Sequence, residues 1–570
     1  MHRPLLIGTL AAALALAGCN RDAASPEANG QPAPAQGSTD AAAHAFSADI
    51  TTADFAELTR TLASDEFEGR APGSAGGEKT VEYIRAQYER IGLEPGGADG
   101  SWYQTVPMIE TTADTTTTLR IDGPQGERTL AFGDEMVIGT RTGQPQVSVA
   151  DSELVFVGYG VDAPEQNWND YAGLDVEGKT VVMLVNDPGF HAKDAELFEG
   201  DRMTYYGRWT YKFEEAARKG ASAALIIHDT PGASYGWDVV KNSWSGAQFD
   251  LRAEDDPEPR LPAQGWITGD VARELFEAAG LDLDAQIAAA NRRGFRPVPL
   301  KASVSFDLAS TISEKSSRNV IGVLPGSERP DEAVIYMGHW DHLGAHEGED
   351  GEQVIYNGAV DNATGIAGII EIAERFATTQ PAPKRSVAFL AVTLEESGLL
   401  GSKYYVAHPS FELSKIAAVI NLDAMSVAGP SRDFVVTGMG NSELEDLLKV
   451  EAERQGRVLA EEGNPAGGFY FRSDHFNFAK AGVPALYAKG GGDLVDGGTA
   501  GGEAAAKDYA SRYHQPGDVF LEEWNLEGVV QDLEALYGVG RVLVDDTTRW
   551  PNWYEGNPFK ANRDAMMSAQ

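Results

Sequence analysis

A chain of 570 residues that is 42% hydrophobic, 23% charged and 9% aromatic is ordinary globular material, and at roughly 150 residues per domain it predicts two to four domains. The 86 acidic residues against 46 basic ones leave a formal net charge of -40, which repels phosphate backbones and excludes nucleic-acid binding through a general basic face. The single cysteine excludes an intramolecular disulfide framework and any multi-cysteine metal site, so a metal would have to be held by His, Asp and Glu.

That cysteine lies near the start. A short positive stretch, Met1–Arg3, precedes a mostly apolar run, Leu5–Leu16, and Leu16-Ala17-Gly18-Cys19 closes it. The run has the length and flanks of a signal peptide and is too short to span a bilayer. Small residues before a cysteine resemble the lipobox of bacterial lipoproteins, which implies cleavage after residue 18 and a lipid on Cys19. The expected location is therefore the bacterial cell envelope, lipid-anchored, facing the periplasm or the cell surface. Residues 19–50 are rich in Ala, Pro, Gly, Ser, Gln and Asp, cannot offset their ordering entropy by burial, and read as a flexible tether.

The ordered chain is expected from about Thr51. Val81, Ile84, Tyr88 and Ile91 make one helical stripe, with Gly92 as its C-cap. Residues 51–150 form the first part of the main domain in this reading, ending in a Thr-rich, strand-like stretch from about Leu119. A second module is expected over 151–290. Its compact apolar runs Leu154–Val157, Thr180–Val185 and Ala223–Ile227 read as strands, and Phe213–Lys219 as a helix stopped by Gly220. The order of Glu177–Val182, Ala216–Ala221 and Ala224–Ile227 is similar to the protease-associated domain, a small β-rich module inserted into exported peptidases. No catalytic residues converge there, and His191 and His228 read as structural or surface residues.

From about Val298 strands and helices alternate to residue 550. Ala333–Met337 leads to His339, Ser386–Leu394 to Glu395-Glu396, and Ile416–Leu422 to Asp423. Val483–Tyr487 is a further strand, with helices over Ile366–Phe376 and Leu526–Val544. This order predicts an α/β fold with a mixed, largely parallel sheet flanked by helices, whose ligands gather beyond the C-terminal strand ends. Of ten histidines, six lie between residues 339 and 514. His339-Trp340-Asp341-His342, Asp361-Asn362, Glu395-Glu396, Asn421-Leu422-Asp423 and Tyr513-His514 each have an ordinary structural explanation alone. Their joint appearance at the ends of apolar strands points to one site.

This ordered set resembles the co-catalytic di-zinc exopeptidases, the family of bacterial leucyl aminopeptidases, aminopeptidase Y and glutamate carboxypeptidase, over about residues 51–130 and 298–545. The resemblance implies two Zn(2+) per chain, one held by His339 and Asp423, the other by Glu396 and His514, with Asp361 bridging. It further implies Glu395 as general base, Asp341 as the carboxylate orienting His339, Tyr513 as a donor near the substrate carbonyl, and a cis Asp361–Asn362 peptide. Arg472–Phe476 matches a family segment lining the substrate pocket, which makes Asp474 and His475 candidate substrate-binding residues, although either could instead cap a helix. Gly490–Gly502, with seven glycines, reads as a mobile loop near the cleft or as a plain surface linker. His342, His346 and His408 read as non-ligands.

Imidazole and carboxylate suit zinc where no thiolate is available. Ions about 3.5–4 Å apart can acidify a shared water and polarise a carbonyl. Adjacent Glu395 and Glu396 point differently at a strand end, so one can bind metal while its neighbour takes a proton. The expected activity is removal of N-terminal residues from peptides. A carboxypeptidase or dipeptidase of the same chemistry is the alternative, and would need cations for a substrate carboxylate; only Arg472 and Arg512 lie near the motifs. Glutaminyl cyclase and a metal-free, transferrin-receptor-like binding module are disfavoured, because no ligand is missing. The oligomeric state is left open.

Overall fold

The computed structural model describes residues 44–98, 100–348 and 351–568. The signal peptide, Cys19 and residues 19–43 of the expected tether lie outside the described residues. Phe46, assigned to that tether, packs against the main core, with the Arg90 guanidinium 4.1 Å over its ring. No helix among the described residues is long and apolar enough to cross a membrane.

The main sheet is mixed, with parallel strands at its centre. In spatial order Arg385–Val392, Arg329–His339, Ile416–Asn421 and Ala485–Gly490 run parallel. Antiparallel strands flank them: residues 320–324 of Val298–Leu324 on one side and Asp433–Val436 on the other. Val387, Phe389, Val334 and Tyr336 point into one core, beneath helices that contribute Ile366, Ile370, Leu533 and Leu536. Ile335, Met337, Leu390 and Val419 point into the opposite core with Phe476 and Phe478. Burial on both faces explains why these strands read as continuous apolar runs. Ser74 caps helix Ala75–Ile91 through its side chain, and Gly92 ends it at φ 88, a conformation glycine adopts without strain.

A second sheet is built from Gln146–Phe156, Thr180–Leu184, Ala223–Ile227 and Ala263–Ile267, all parallel, with its own cores. The two sheets share one strand. Residues 298–309 of Val298–Leu324 pair in the second sheet and residues 310–324 in the first. The handover is sharp: Ser310 pairs with Ala113, while Ala309 pairs with Gln146. Thr118–Gly123, Gly126–Ala131 and Met136–Gly139 also belong to the second sheet, so strand pairing draws the seam at Ala113/Ser310 rather than at the expected 151 and 290. The Thr-rich stretch carried no motif that could reveal which sheet it would join. One strand, Gln248–Leu251, returns to pair with Met108–Thr111 at the edge of the main sheet.

Candidate metal centre

The three central strands deliver their terminal residues to one point. His339 is the last residue of its strand, and its Nε2 lies 3.2 Å from Asp361 Oδ1 and 3.5 Å from Asp423 Oδ1. On the other side His514 Nε2 lies 3.2 Å from Asp361 Oδ2 and 3.1 Å from Glu396 Oε2. The two oxygens of Asp361 therefore face different imidazoles, as a bridging carboxylate requires. All five residues of the expected ligand set meet here. His342, expected to be a non-ligand, lies in the same cluster: its Nδ1 is 2.7 Å from Glu396 Oε1, leaving Glu396 Oε2 turned to His514. Its proximity to His339 along the chain offered no clue, because a side chain's direction beyond a strand end depends on the turn.

The electrostatics suit cations. Asp341, Asp361, Glu395, Glu396 and Asp423 converge on three imidazoles and one guanidinium. Burial opposes charge on His339, yet Glu395, Asp361 and Asp423 around it raise its pKa well above the ordinary imidazole value. Burial likewise opposes charge on Asp361, but His339 and His514 hold it well below the usual carboxylate range. Carboxylates and imidazoles at such separations, with a carboxylate shared between two groups, fit divalent metal ions with nitrogen and oxygen ligands.

The shared aspartate is held by its backbone. The Asp361–Asn362 peptide is cis, as the resemblance implied. Asn362 Oδ1 accepts from Gly365 N and Ala424 N, and its Nδ2 donates to Leu422 O at 3.0 Å, tying the Asp361 loop to the one after strand Ile416–Asn421. A Cβ on Gly365 would lie 2.3 Å from Asn362 Oδ1, so glycine is required where helix Thr364–Thr378 starts. Asp518 accepts the N–H groups of Val360 and Asp361. Arg70, 1% exposed, donates to the carbonyls of Trp340, Leu62, Asn357 and Gly358. Burial lowers its pKa to about 10 against the pull of Asp518 and Asp361, so it stays a cation behind the cluster at neutral pH. Sequence reasoning missed both residues. Asp518 had a weak signal, since it sits in the same loop as His514; Arg70 had none.

Several expectations change in detail. Asp341 does not take the His339 imidazole on its carboxylate. His339 Nδ1 lies 3.1 Å from the Asp341 backbone carbonyl, against 3.9 Å from Oδ1, while Oδ1 accepts the Glu395 N–H. Asp341 thus positions the candidate base as well as the ligand. Burial, reinforced by Glu396, Asp423 and Asp474, raises the Glu395 pKa well above the ordinary carboxyl value. Asp474 and His475 lie fully buried beneath the site rather than along the cleft. Asp474 accepts from Ser402 and gives no side-chain cap to helix His475–Lys480, whereas Phe471, Arg472, Phe476 and Asn477 from the same segment reach the cavity. The glycine-rich stretch is only partly loop, because helix Gly498–Arg512 begins within it. Gly502 packs so closely on Gly492 that a Cβ would lie 2.0 Å from its carbonyl oxygen. Tyr513 is 49% exposed and stacks on His514 with ring centroids 3.9 Å apart.

A cavity of about 620 Å³ opens beside the cluster. Its lining includes Glu395, Glu396 and Tyr513 together with Arg208, Trp209 and Trp244 of the second module.

Residues 319–535 match the model of peptidase family M28. The chain is 25% identical over 407 residues to a "probable leucine aminopeptidase 2" of Aspergillus oryzae, covering 69% of this chain and 67% of that one. It is 24% identical over 386 residues to a "probable glutamate carboxypeptidase" of Arabidopsis thaliana, covering 63% of this chain and 48%, under half, of the relative. Among solved structures it is similar to an aminopeptidase from Aneurinibacillus sp. strain AM-1, with a TM-score of 0.47 at 22% identity over 86% of this chain and 94% of that one. A zinc aminopeptidase from Bacillus subtilis gives 0.41 at 16% identity over 90% and 100%.

Proposed function

We propose, from the premise that this chain belongs to peptidase family M28, that it is an exported metallo-aminopeptidase removing N-terminal residues from peptides. One observation carries the chemistry: the two oxygens of Asp361 face His339 with Asp423 on one side and His514 with Glu396 on the other. His339, Asp423, Glu396, His514 and the shared Asp361 would hold two zinc ions. Zinc held there would acidify a water and polarise the scissile carbonyl.

The remaining work falls to the chain's own groups. Glu395, set at the cluster by the Asp341 contact to its backbone, takes a proton from the attacking water and returns it to the leaving amine. Tyr513 would donate to the substrate carbonyl, a role supported by its lining the cavity and stacking on His514. The second module contributes Arg208, Trp209 and Trp244 to the cavity lining and would limit which peptides enter. Leu16-Ala17-Gly18-Cys19 supports export and tethering to the cell envelope by a lipid.

A carboxypeptidase is the second reading, favoured by arginines in the cavity and by one relative's name. The test is a panel of leucine p-nitroanilide, an unblocked dipeptide and the same dipeptide N-acetylated. The aminopeptidase reading expects turnover of the first two and none of the third. Turnover of the N-acetylated dipeptide alone would establish the second reading.

A further inference from the structure

Most charged side chains lining the cavity are paired with one another. Arg141 meets Asp250 at 3.0 Å, Arg260 meets Asp256 at 2.9 Å, Lys403 meets the same Asp256 at 2.8 Å, and Lys480 meets Glu214 at 3.3 Å. Arg208 and Arg472 differ. Arg208 is 9% exposed and its Nε is buried with no hydrogen-bond partner among the described residues; Arg472 leaves Nε and Nη2 in the same condition. A buried, unpaired guanidinium is costly, and two that repel each other more so. Burial and then the charge of Arg472 lower the Arg208 pKa to about 9.

Local backbone adds to this. Arg208 is the N-cap of helix Trp209–Arg218, a ten-residue helix without a side-chain cap, and Trp209 and Thr210 of its first turn line the same cavity. Free N–H groups and the positive end of the helix dipole favour an anion. Tyr235, Glu395, Glu396 and Tyr513 line the same cavity.

We propose that Arg208, Arg472 and the uncapped start of helix Trp209–Arg218 form a carboxylate site, which selects short peptides whose carboxylate lies on the leaving-group side of the scissile bond. This rests on the aminopeptidase reading and deepens it. Two arginines can grip a carboxylate in a fork that a neutral amide cannot replace. One of them comes from the second module and one from the main domain, so the ligand would bridge the two. The carboxylate can be the peptide's C-terminus or an acidic side chain, and the substrates below separate these sources.

The test measures kcat/KM of the full-length protein for Leu-Gly, Leu-Gly amide and Leu-Asp amide, with leucine p-nitroanilide as reference. Leu-Gly should exceed Leu-Gly amide by about tenfold or more, mainly through KM. Leu-Asp amide matching Leu-Gly would assign the site to an acidic side chain, and Leu-Asp amide matching Leu-Gly amide would assign it to the C-terminus. In R208Q and R472Q the ratio of Leu-Gly to Leu-Gly amide should fall towards one, and R472K, which keeps the charge, should retain part of it. Equal values for all three substrates in the wild-type protein would overturn the carboxylate site while leaving the aminopeptidase reading intact. No turnover of these substrates or of the anilide would overturn that reading, and the carboxylate site with it.

Discussion

The carboxylate of Asp518 accepts the backbone N–H of Asp361 at 3.1 Å and that of Val360 at 3.1 and 3.2 Å from its two oxygens. The loop that brings His514 to the centre therefore also holds the segment carrying the shared carboxylate. Asp518→Ala should weaken zinc binding by roughly 10–100-fold, the effect of losing a group that orients a ligand. Asp518→Asn, which retains one oxygen acceptor, should lose less. Competition against a fluorescent chelator measures both, and unchanged affinity in the alanine variant would remove Asp518 from the centre.

Metal analysis of active protein should find two divalent ions per chain. Asp423→Ala should weaken the site at His339 while sparing the one at Glu396 and His514, because Asp423 approaches only the former imidazole. Asp361→Ala should weaken both. One equivalent in fully active wild-type protein would contradict this arrangement. Removal by a chelator should abolish peptide hydrolysis and zinc should restore it.

Glu395→Gln should keep both metals and lower turnover by roughly 10²–10⁴-fold, the range for a lost general acid–base. Turnover within a few-fold of wild type, at equal metal content, would assign proton transfer to another group.

Glu371 gives a pH-dependent stability test away from the metals. It is 2% exposed, accepts the Thr51 N–H at 3.0 Å, and burial pushes its pKa from 4.5 up to about 8. Below pH 4.5 the folded and unfolded chains both carry the proton, and no penalty exists. Between 4.5 and 8 the unfolded chain releases it while the folded chain retains it, so stability falls as pH rises across this window. Glu371→Gln should remove that fall, raising unfolding free energy at neutral pH by on the order of 1 kcal/mol or more with little change at pH 4. Denaturant melts at both pH values measure it, and an equal effect at the two would exclude the titration.

Ala113 and Ser310 are register partners, and Asp114 N donates to Ala309 O at 2.9 Å. Residues 114–309 can thus be replaced by a two-residue Asn-Gly turn that closes one hairpin. The shortened protein should hydrolyse leucine p-nitroanilide within about tenfold of wild type, an allowance of about 1.4 kcal/mol in the barrier. Its discrimination by peptide length should be lost with the cavity wall. Complete loss of anilide hydrolysis in a folded, metallated variant would make the second module part of the catalytic machinery.

How much of this was legible in the chain depended on whether the signal was local. The apolar runs before His339, Glu395 and Asp423 announced strands buried on both faces, and the strand–helix order dictated a mixed, largely parallel sheet. Residues at the C-terminal ends of neighbouring parallel strands must lie close together, so the composition of those ends pointed to one site, while Asp361 and His514 entered the ligand set through the family resemblance. Contacts set by packing had no such signature. Arg70 donates to the carbonyl of Trp340, 270 positions along the chain, and Arg208 of the second module lines the same cavity as Arg472 of the main domain. Asp474 and His475 stand beside Arg472 in the chain, yet they turn into the core while it faces the cavity. Strand order and apolar periodicity were properties of the sequence; the direction of each polar side chain beyond a strand end, and the seam between the sheets, were decided by tertiary packing, because these depend on which distant backbone groups each side chain must satisfy.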